Sequence, residues 1–462
     1  RPQHHAGDHF RHHLRLTQPG GQQAHQPAHG QDDRQLQEEL DRKIEIVHGL
    51  PFAGGSAVLV QAADLDNDLA PPLSPDEPAV TTANPIKAQL SWLGVTGSFR
   101  TGYWSSNRLY DDVSGVGTAS AWLKLEKKLD NGIGLFAEGY SAREDFRTDG
   151  NTRANMREMY VETRKGDFDF RVGRQIIAWG RTDRLNPTDN LTPRDARLLA
   201  TDIDEDRFGS LAAKASWSLT ANDSLTLVLL PEFQANKSYS KFTEVIPSAN
   251  NQWAIKYDQS GKAIDWSVSY YDGYDLSPDL SASYVYKHYR TKVYGMDIAT
   301  TVGSNRFALE SAYTQTQDMN GTNEYIKNPF LYTVFGVEHD FGNNTSGIVQ
   351  IFNRHVYNYS TPDTSTSLKL LRSVVISQLD RNQDGISIRI AKKWLNETLE
   401  TELAGSTLRE RNGYSLRPRV TYLWSDSIKL LAGYEYYAGN SNTYYGYLKN
   451  NNTLFMELRY FY

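Results

Sequence analysis

From residue 95 to its end, the chain repeats one pattern: a short run of alternating apolar and polar positions, then a turn. The last stretch, NNNTLFMELRYFY (450–462), shows it clearly. Leu454, Met456, Leu458, Tyr460 and Tyr462 fall on one face of a strand, and Phe455, Glu457, Arg459 and Phe461 on the other. Period-two alternation marks a strand whose faces meet different surroundings. In SAWLKLEKKL (120–129), Ala121, Leu123 and Leu125 lie opposite Trp122, Lys124 and Glu126. Asp130-Asn131-Gly132 then makes a tight turn, and IGLFAEGYSA (133–142) returns. Similar pairs follow at 156–164 with 167–179, 210–219 with 225–233, 251–258 with 263–271, 293–302 with 306–315, 331–341 with 346–354, 385–395 with 398–408, and 414–424 with 428–437. With an opening strand near 95–104 and a closing one at 453–462, the pattern predicts 18 strands.

Connections inside the pairs are short, and those between pairs are long and polar. Strict alternation of short and long links is what a closed antiparallel barrel requires when both termini lie on one side. Residues 366–379 carry Leu368, Leu371, Val375 and Leu379 at near-helical spacing; a short helix there keeps the parity, whereas an extra strand would upset it. The expected fold is therefore all-β, an 18-stranded antiparallel transmembrane barrel over 88–462 with short periplasmic turns and long extracellular loops. The alternating apolar face would meet lipid, with Tyr460 and Tyr462 in an interfacial girdle. A soluble two-sheet protein would have to bury all those faces against one another and still solvate their polar reverse sides.

Composition supports a membrane surface. The chain has 28 Tyr, 17 Phe and 9 Trp, an enrichment expected of aromatic belts. Mean hydropathy is −0.58. No run of apolar residues is long enough for a spanning helix, and a closed barrel is the other fold that satisfies its backbone in lipid. There is no Cys, so disulfides and thiolate sites are excluded. A net charge of −6 argues against nucleic acid as a partner.

The first 63 residues differ in kind. Eight of the 11 His fall within residues 1–48 among Gln, Pro and Gly, which reads as disorder, or as residues from an upstream start that do not belong to the mature chain, rather than as a metal site. The stretch 49–64, GLPFAGGSAVLVQAAD, looks like the end of a signal peptide cut near Ala62 or Ala63, although Glu45 and His48 interrupt its apolar segment. Residues 64–87 are an acidic, Pro-rich periplasmic linker.

The inner face of the barrel carries charge. Arg100, Arg171, Arg389, Arg417, Arg419 and Arg459 share it with Glu402 and Glu435, and with Lys124, Glu126, Glu138, Glu158, Glu162, Lys214, Lys256, Asp265, Arg306, Glu310, Glu338, Arg354, Lys393, Glu400 and Glu457. Signs nearly alternate from strand to strand, so the set is either a cross-strand ion ladder that stiffens the wall or a track for a carboxylate- or sulfate-bearing solute. The connection 180–209, GRTDRLNPTDNLTPRDARLLATDIDEDRFG, is long and has no core of its own; such loops are usually functional. Its candidate lining is Arg181, Asp183, Arg184, Arg194, Asp195 and Arg197. The alternative is an external flap held by local ion pairs.

Two other signals carry less. Asp380, Asn382, Asp384 and Gly385 match the start of a calcium loop, but Ala391 stands where the bidentate Glu belongs, so an ordinary turn is favoured; no other cofactor is implied. Ser346 lies near His339 and His355 in sequence, without a hydrolase motif around them.

With strand count, parity and loop order established, residues 88–462 resemble Gram-negative outer-membrane porins of the 18-stranded substrate-channel and alginate-export type. RVGRQIIAWGRTDRLNPTD (171–189) is similar to the strand end that precedes the constriction loop in such barrels. A terminal strand ending in an aromatic resembles the assembly signal of these proteins. The resemblance implies an outer-membrane location, transport of ions or of small anionic solutes or acidic saccharides, a third extracellular loop folded into the pore, and a monomer in preference to a trimer. A plugged structural or attachment barrel, or an outer-membrane hydrolase, are the competing readings.

Overall fold

The computed structural model describes residues 93–106, 114–144, 152–238, 242–248, 251–261, 263–409, 413–440 and 443–462. The expected leader and linker lie outside them.

Eighteen strands form one antiparallel sheet. They are β1 (Val95–Ser106), β2 (Ser114–Lys128), β3 (Ile133–Glu144), β4 (Thr152–Lys165), β5 (Phe168–Gln175), β6 (Ser210–Ser218), β7 (Asp223–Leu230), β9 (Gln252–Gln259), β10 (Ile264–Tyr274), β13 (Arg290–Val302), β14 (Asn305–Gln315), β15 (Phe330–Gly342), β16 (Thr345–Val356), β17 (Asn382–Trp394), β18 (Leu399–Leu408), β19 (Gly413–Ser425), β20 (Ile428–Ala438) and β21 (Thr453–Phe461). Each pairs with its neighbour in sequence, and β21 closes the circle on β1, from Ser98 opposite Phe461 to Trp104 opposite Phe455. Closure leaves no strand edge, which is the condition for a sheet to cross lipid. Three two-residue strands, β8 (Glu244–Val245), β11 (Asp279–Leu280) and β12 (Tyr286–Lys287), make a separate small sheet in the long connections. The segment expected to be helical is an α-helix, Ser367–Val375, capped by the Thr366 hydroxyl and burying Leu368, Leu371 and Val375.

The faces divide as the alternation requires. Leu454, Met456 and Leu458 point outward, while Phe455, Glu457 and Arg459 are buried inside. The outer surface is a band of exposed apolar side chains, among them Phe99, Val161, Val172, Leu229, Val268, Ile351 and Ile390. Exposed apolar area on that scale identifies a lipid-facing belt. Aromatic rings rim it. Trp253, Tyr270, Tyr294, Tyr313 and Tyr357 follow one another around the long-connection side, with successive centroids 5.1, 5.1, 6.3 and 5.8 Å apart. At the other rim the Tyr462 ring lies 5.0 Å from Phe99.

Two predicted strands end early, β7 at Leu230 in place of Phe233 and β5 by a wider margin. The apolar pattern of β5 runs to Trp179, yet pairing stops at Gln175 because the chain there leaves the wall and enters the lumen. The buried core of the protein lies between that inward loop, 176–209, and the barrel wall.

Candidate functional site

The loop crosses the lumen by planting apolar side chains on separate sectors of the wall. Ile177, Trp179 and Leu191 pack on Ala212, Val228, Leu230, Ala254, Tyr271, Val293 and Ala312, contributed by β6, β7, β9, β10, β13 and β14. Leu185 packs with Phe330, Tyr332, Val334, Phe352 and Val356 of β15 and β16. Leu198 joins Trp122, Tyr140 and Ala142 of β2 and β3, and Leu199 joins Trp104, Val116 and Phe455 at the closure of the barrel. Each such side chain contributes roughly 1.5–3 kcal/mol on burial. A loop anchored on so many sides is a built element of the lumen.

The GRQ stretch makes the exit from the wall. Gly173 has φ +134°, and a Cβ there would sit 2.3 Å from the Met159 carbonyl oxygen. The Gln175 side chain is fully buried and donates to the Ala212 carbonyl at 3.0 Å, replacing the strand partner the chain gives up. Gly180, at φ +111°, brings the loop against Glu310 of β14 so closely that a Cβ would lie 2.5 Å from its carboxylate.

Glu310 is the central latch. Its Oε1 accepts from the Thr188 N–H and hydroxyl at 2.9 and 2.8 Å. Its Oε2 accepts from the Arg181 N–H at 3.1 Å, the Thr182 N–H and hydroxyl at 3.2 and 2.7 Å, and Asn186 Nδ2 at 3.3 Å. A buried carboxylate is tolerable only when so satisfied.

The six candidate constriction residues fall into two groups. Arg181, Asp183 and Arg184 turn towards the wall. Arg181 binds both oxygens of Asp258 at 3.0 Å and also Asp297. Asp183 lies 3.5 Å from Arg389 Nε, and Arg184 lies 3.5 Å from Glu402. Burial pushes the Arg184 guanidinium down to about 10, against the pull of Asp183 and Glu402. Arg194, Asp195 and Arg197 pair within the loop: Arg194 with Asp206 at 2.6 Å, and Asp195 with Arg197 at 2.8 Å. Arg194 and Arg197 keep about a quarter to a third of their side chains in solvent.

The lumen track closes into a network with the loop. On the wall, Arg389 reaches Glu402 at 3.3 Å, Arg417 reaches Glu435 at 3.3 Å, and Arg171 reaches Glu162 at 2.7 Å. The loop supplies the other acids. Asp202 meets Arg419 at 2.9 Å and Arg459 at 2.7 Å, and Glu205 meets Arg100 at 2.7 Å and Arg459 at 2.9 Å. Burial works to raise the Asp202 pKa, but Arg459, Lys429, Arg100 and Arg417 outweigh it and hold the carboxylate below its ordinary value. Lys124, Glu126, Glu162 and Asp204 remain well solvated, so the wetted charges are of both signs.

Sequence reasoning missed several of these groups. Arg157 was not among the inner-face residues read from alternation, because a bulge opposite Glu138 and Gly139 turns both Arg157 and Glu158 inward. Arg157 then clamps the loop, donating to the Arg207 and Asp204 carbonyls at 3.0 and 2.9 Å and to Glu138 at 2.9 Å. A cation next to lipid costs about 2–4 kcal/mol at mid-membrane, and that cost was the available signal. Asp258 and Asp297 could have been found from their shared face with Lys256 and Val293.

The remaining candidates do not assemble. Asn382 faces His355 at 2.6 Å, Asp384 accepts from Asn353, and Asp380 lies outside that strand; among the described residues no group of three or more acidic or His side chains could hold a metal. Ser346 points into the barrel with its neighbour Ile348, whereas His339 points outward, so that pair does not meet.

A closed 18-strand barrel with an apolar outer belt and a loop folded across a charged lumen is the architecture of outer-membrane porins. Comparison with solved structures finds the following similarities. OccD3 (OpdP) of Pseudomonas aeruginosa matches with a TM-score of 0.51 at 11% identity, over 80% of this chain and 91% of that one. OccK5 (OpdH) of the same organism matches with 0.49 at 10% identity, over 80% and 96%. An engineered variant of the Rh. blastica porin matches with 0.37 at 12% identity, over 80% and 99%. No protein-family model matches the sequence, and neither does any curated protein sequence.

Proposed function

We propose that this protein is a channel in the outer membrane of a Gram-negative bacterium. As a monomer, it passes small hydrophilic solutes bearing an anionic group through a lumen narrowed by the loop 176–209. The observation that carries this reading is the anchoring of that loop on the wall through Glu310, Arg181, Asp202 and Glu205. A loop so fixed sets a constant constriction, and it holds the arginines of β17, β19 and β21 in one place. Arg389, Arg417, Arg419 and Arg459 are buried against carboxylates of the wall and the loop and contribute to the field of the lumen, while the partly solvated Arg194, Arg197 and Arg306 are the guanidiniums a carboxylate or sulfate can meet.

Ion current through the refolded chain in a planar bilayer tests it. Discrete conductance steps are expected, with a reversal potential in a salt gradient that reports anion preference. A folded, heat-modifiable barrel that passes no current would overturn the channel reading and favour a plugged structural barrel.

A further inference from the structure

On the short-turn side of the loop, a cavity of about 240 Å³ indents the lumen wall beneath Arg181. Ala263, Asp265, Ala299, Thr300, Thr301 and Arg306 complete its lining. The pairing explains its shape. Asp265 of β10 lies opposite Ala299 of β13, and Thr301 of β13 lies opposite Arg306 of β14. A carboxylate and a guanidinium therefore flank one intervening strand, two residues out of line along it, their backbones roughly 12 Å apart at ordinary strand spacing and rise. Ala299 on that strand and Ala263 beside Asp265 carry nothing beyond Cβ, and this gives the indentation its depth.

The two charges do not pair with each other. Asp265 accepts one hydrogen bond, from the Gly261 N–H at 2.8 Å on Oδ1. Arg306 donates to the Arg181 carbonyl at 2.7 Å and lies 3.9 Å from Glu338, with its side chain 38% exposed. Arg181, above them, is engaged by Asp258 and Asp297. The cavity thus offers one acceptor and one cationic donor at opposite ends of an otherwise small-residue floor.

We propose that this cavity is a subsite for a zwitterionic solute whose cationic and anionic groups are several bonds apart. The ammonium group sits on Asp265 and the carboxylate on Arg306. The inference rests on the channel reading and narrows it: the solute bears a cationic group as well as the anionic one. Singly charged relatives of the same length leave one of the two wall charges without a partner, so they are held less well.

The test uses the full refolded chain. Steps in potassium chloride alone report on the channel reading by itself. γ-Aminobutyrate, butyrate and butylammonium are then added from the short-turn side, and the dwell times of current blocks are compared. γ-Aminobutyrate should dwell about fivefold longer than either analogue, the worth of one partly solvated ion pair. D265N and R306Q should each bring it down to the analogues' dwell time. Equal dwell times for butyrate and γ-aminobutyrate, or no effect of D265N, would overturn the proposal. If no steps appear in potassium chloride, the channel reading fails, and calorimetric titration of γ-aminobutyrate into the folded barrel in detergent decides the subsite. Saturable binding lost in D265N supports it, and no binding overturns it.

Discussion

Thr188 holds Glu310 twice, through its backbone N–H at 2.9 Å and its hydroxyl at 2.8 Å, both on the same carboxylate oxygen. One residue of the loop and one of the wall thereby fix where the polypeptide crosses the lumen. Because the other oxygen is equally occupied by Arg181, Thr182 and Asn186, the carboxylate serves as the surface on which this turn of the loop is built.

Removing that surface should free the loop without unfolding the barrel. In Glu310→Ala the donors lose a charged acceptor, each such bond being worth about 1.5–3 kcal/mol. The expected result is a noisy channel with several conductance levels and faster proteolysis between residues 180 and 209. Heat-modifiability on a gel should persist, since the strand ladders are untouched. A single quiet level like that of the parent would contradict the latch.

Gly180→Ala should act through the same contact. The backbone at φ +111° disfavours any side chain, and the new Cβ would press on the Glu310 carboxylate. Its effect on conductance noise should be milder than that of Glu310→Ala. The two changes together should do little more than Glu310→Ala alone, because both act on one contact.

Ion selectivity should follow the loop's acids. Asp202→Asn with Glu205→Gln leaves Arg100, Arg419 and Arg459 with fewer carboxylate partners, and the reversal potential in a salt gradient should move towards anions. Arg389→Gln with Arg419→Gln should move it the other way. The sign of the two shifts is the check, and shifts of equal sign would refute a role for this network in selectivity.

Acid should loosen the same docking. Asp202 is depressed in the folded protein, so its contribution is present above the ordinary carboxylate value, about 3.9, and is lost as pH falls through the lower folded value. Conductance should keep one level from neutral pH down to about 5 and become heterogeneous only in stronger acid. Single-channel records across that range decide it, and Asp202→Asn should remove this contribution to the pH dependence.

The long connections have a buried charge cluster of their own. Lys327 Nζ sits 2.8 Å from Asp275 and 3.0 Å from Asp279 with almost no exposure. Lys327→Met would strand two acids away from water, a loss on the order of 3–5 kcal/mol locally. Faster hydrogen exchange across 275–288, with the barrel strands unchanged, is the expected outcome.

Alternation alone determined the barrel. Each of the eighteen barrel strands was visible because one face must suit lipid and the other water, a local constraint written every second residue, whereas the two-residue strands β8, β11 and β12 in the long connections were not. Parity of short and long links then settled the strand count, and near-helical spacing of Leu368, Leu371 and Val375 located the helix. What the loop does was decided only by tertiary structure. Nothing in the sequence near Arg181 names Asp258, Asp297 or Glu310 as its neighbours, since they lie on strands brought close by closure of the sheet. Arg157 was hidden for a related reason: a bulge shifts the period by one, and a rule based on period two cannot see it. The wall is periodic and local, so it can be read along the chain, whereas the loop is held by single long-range contacts that exist only once the circle is closed.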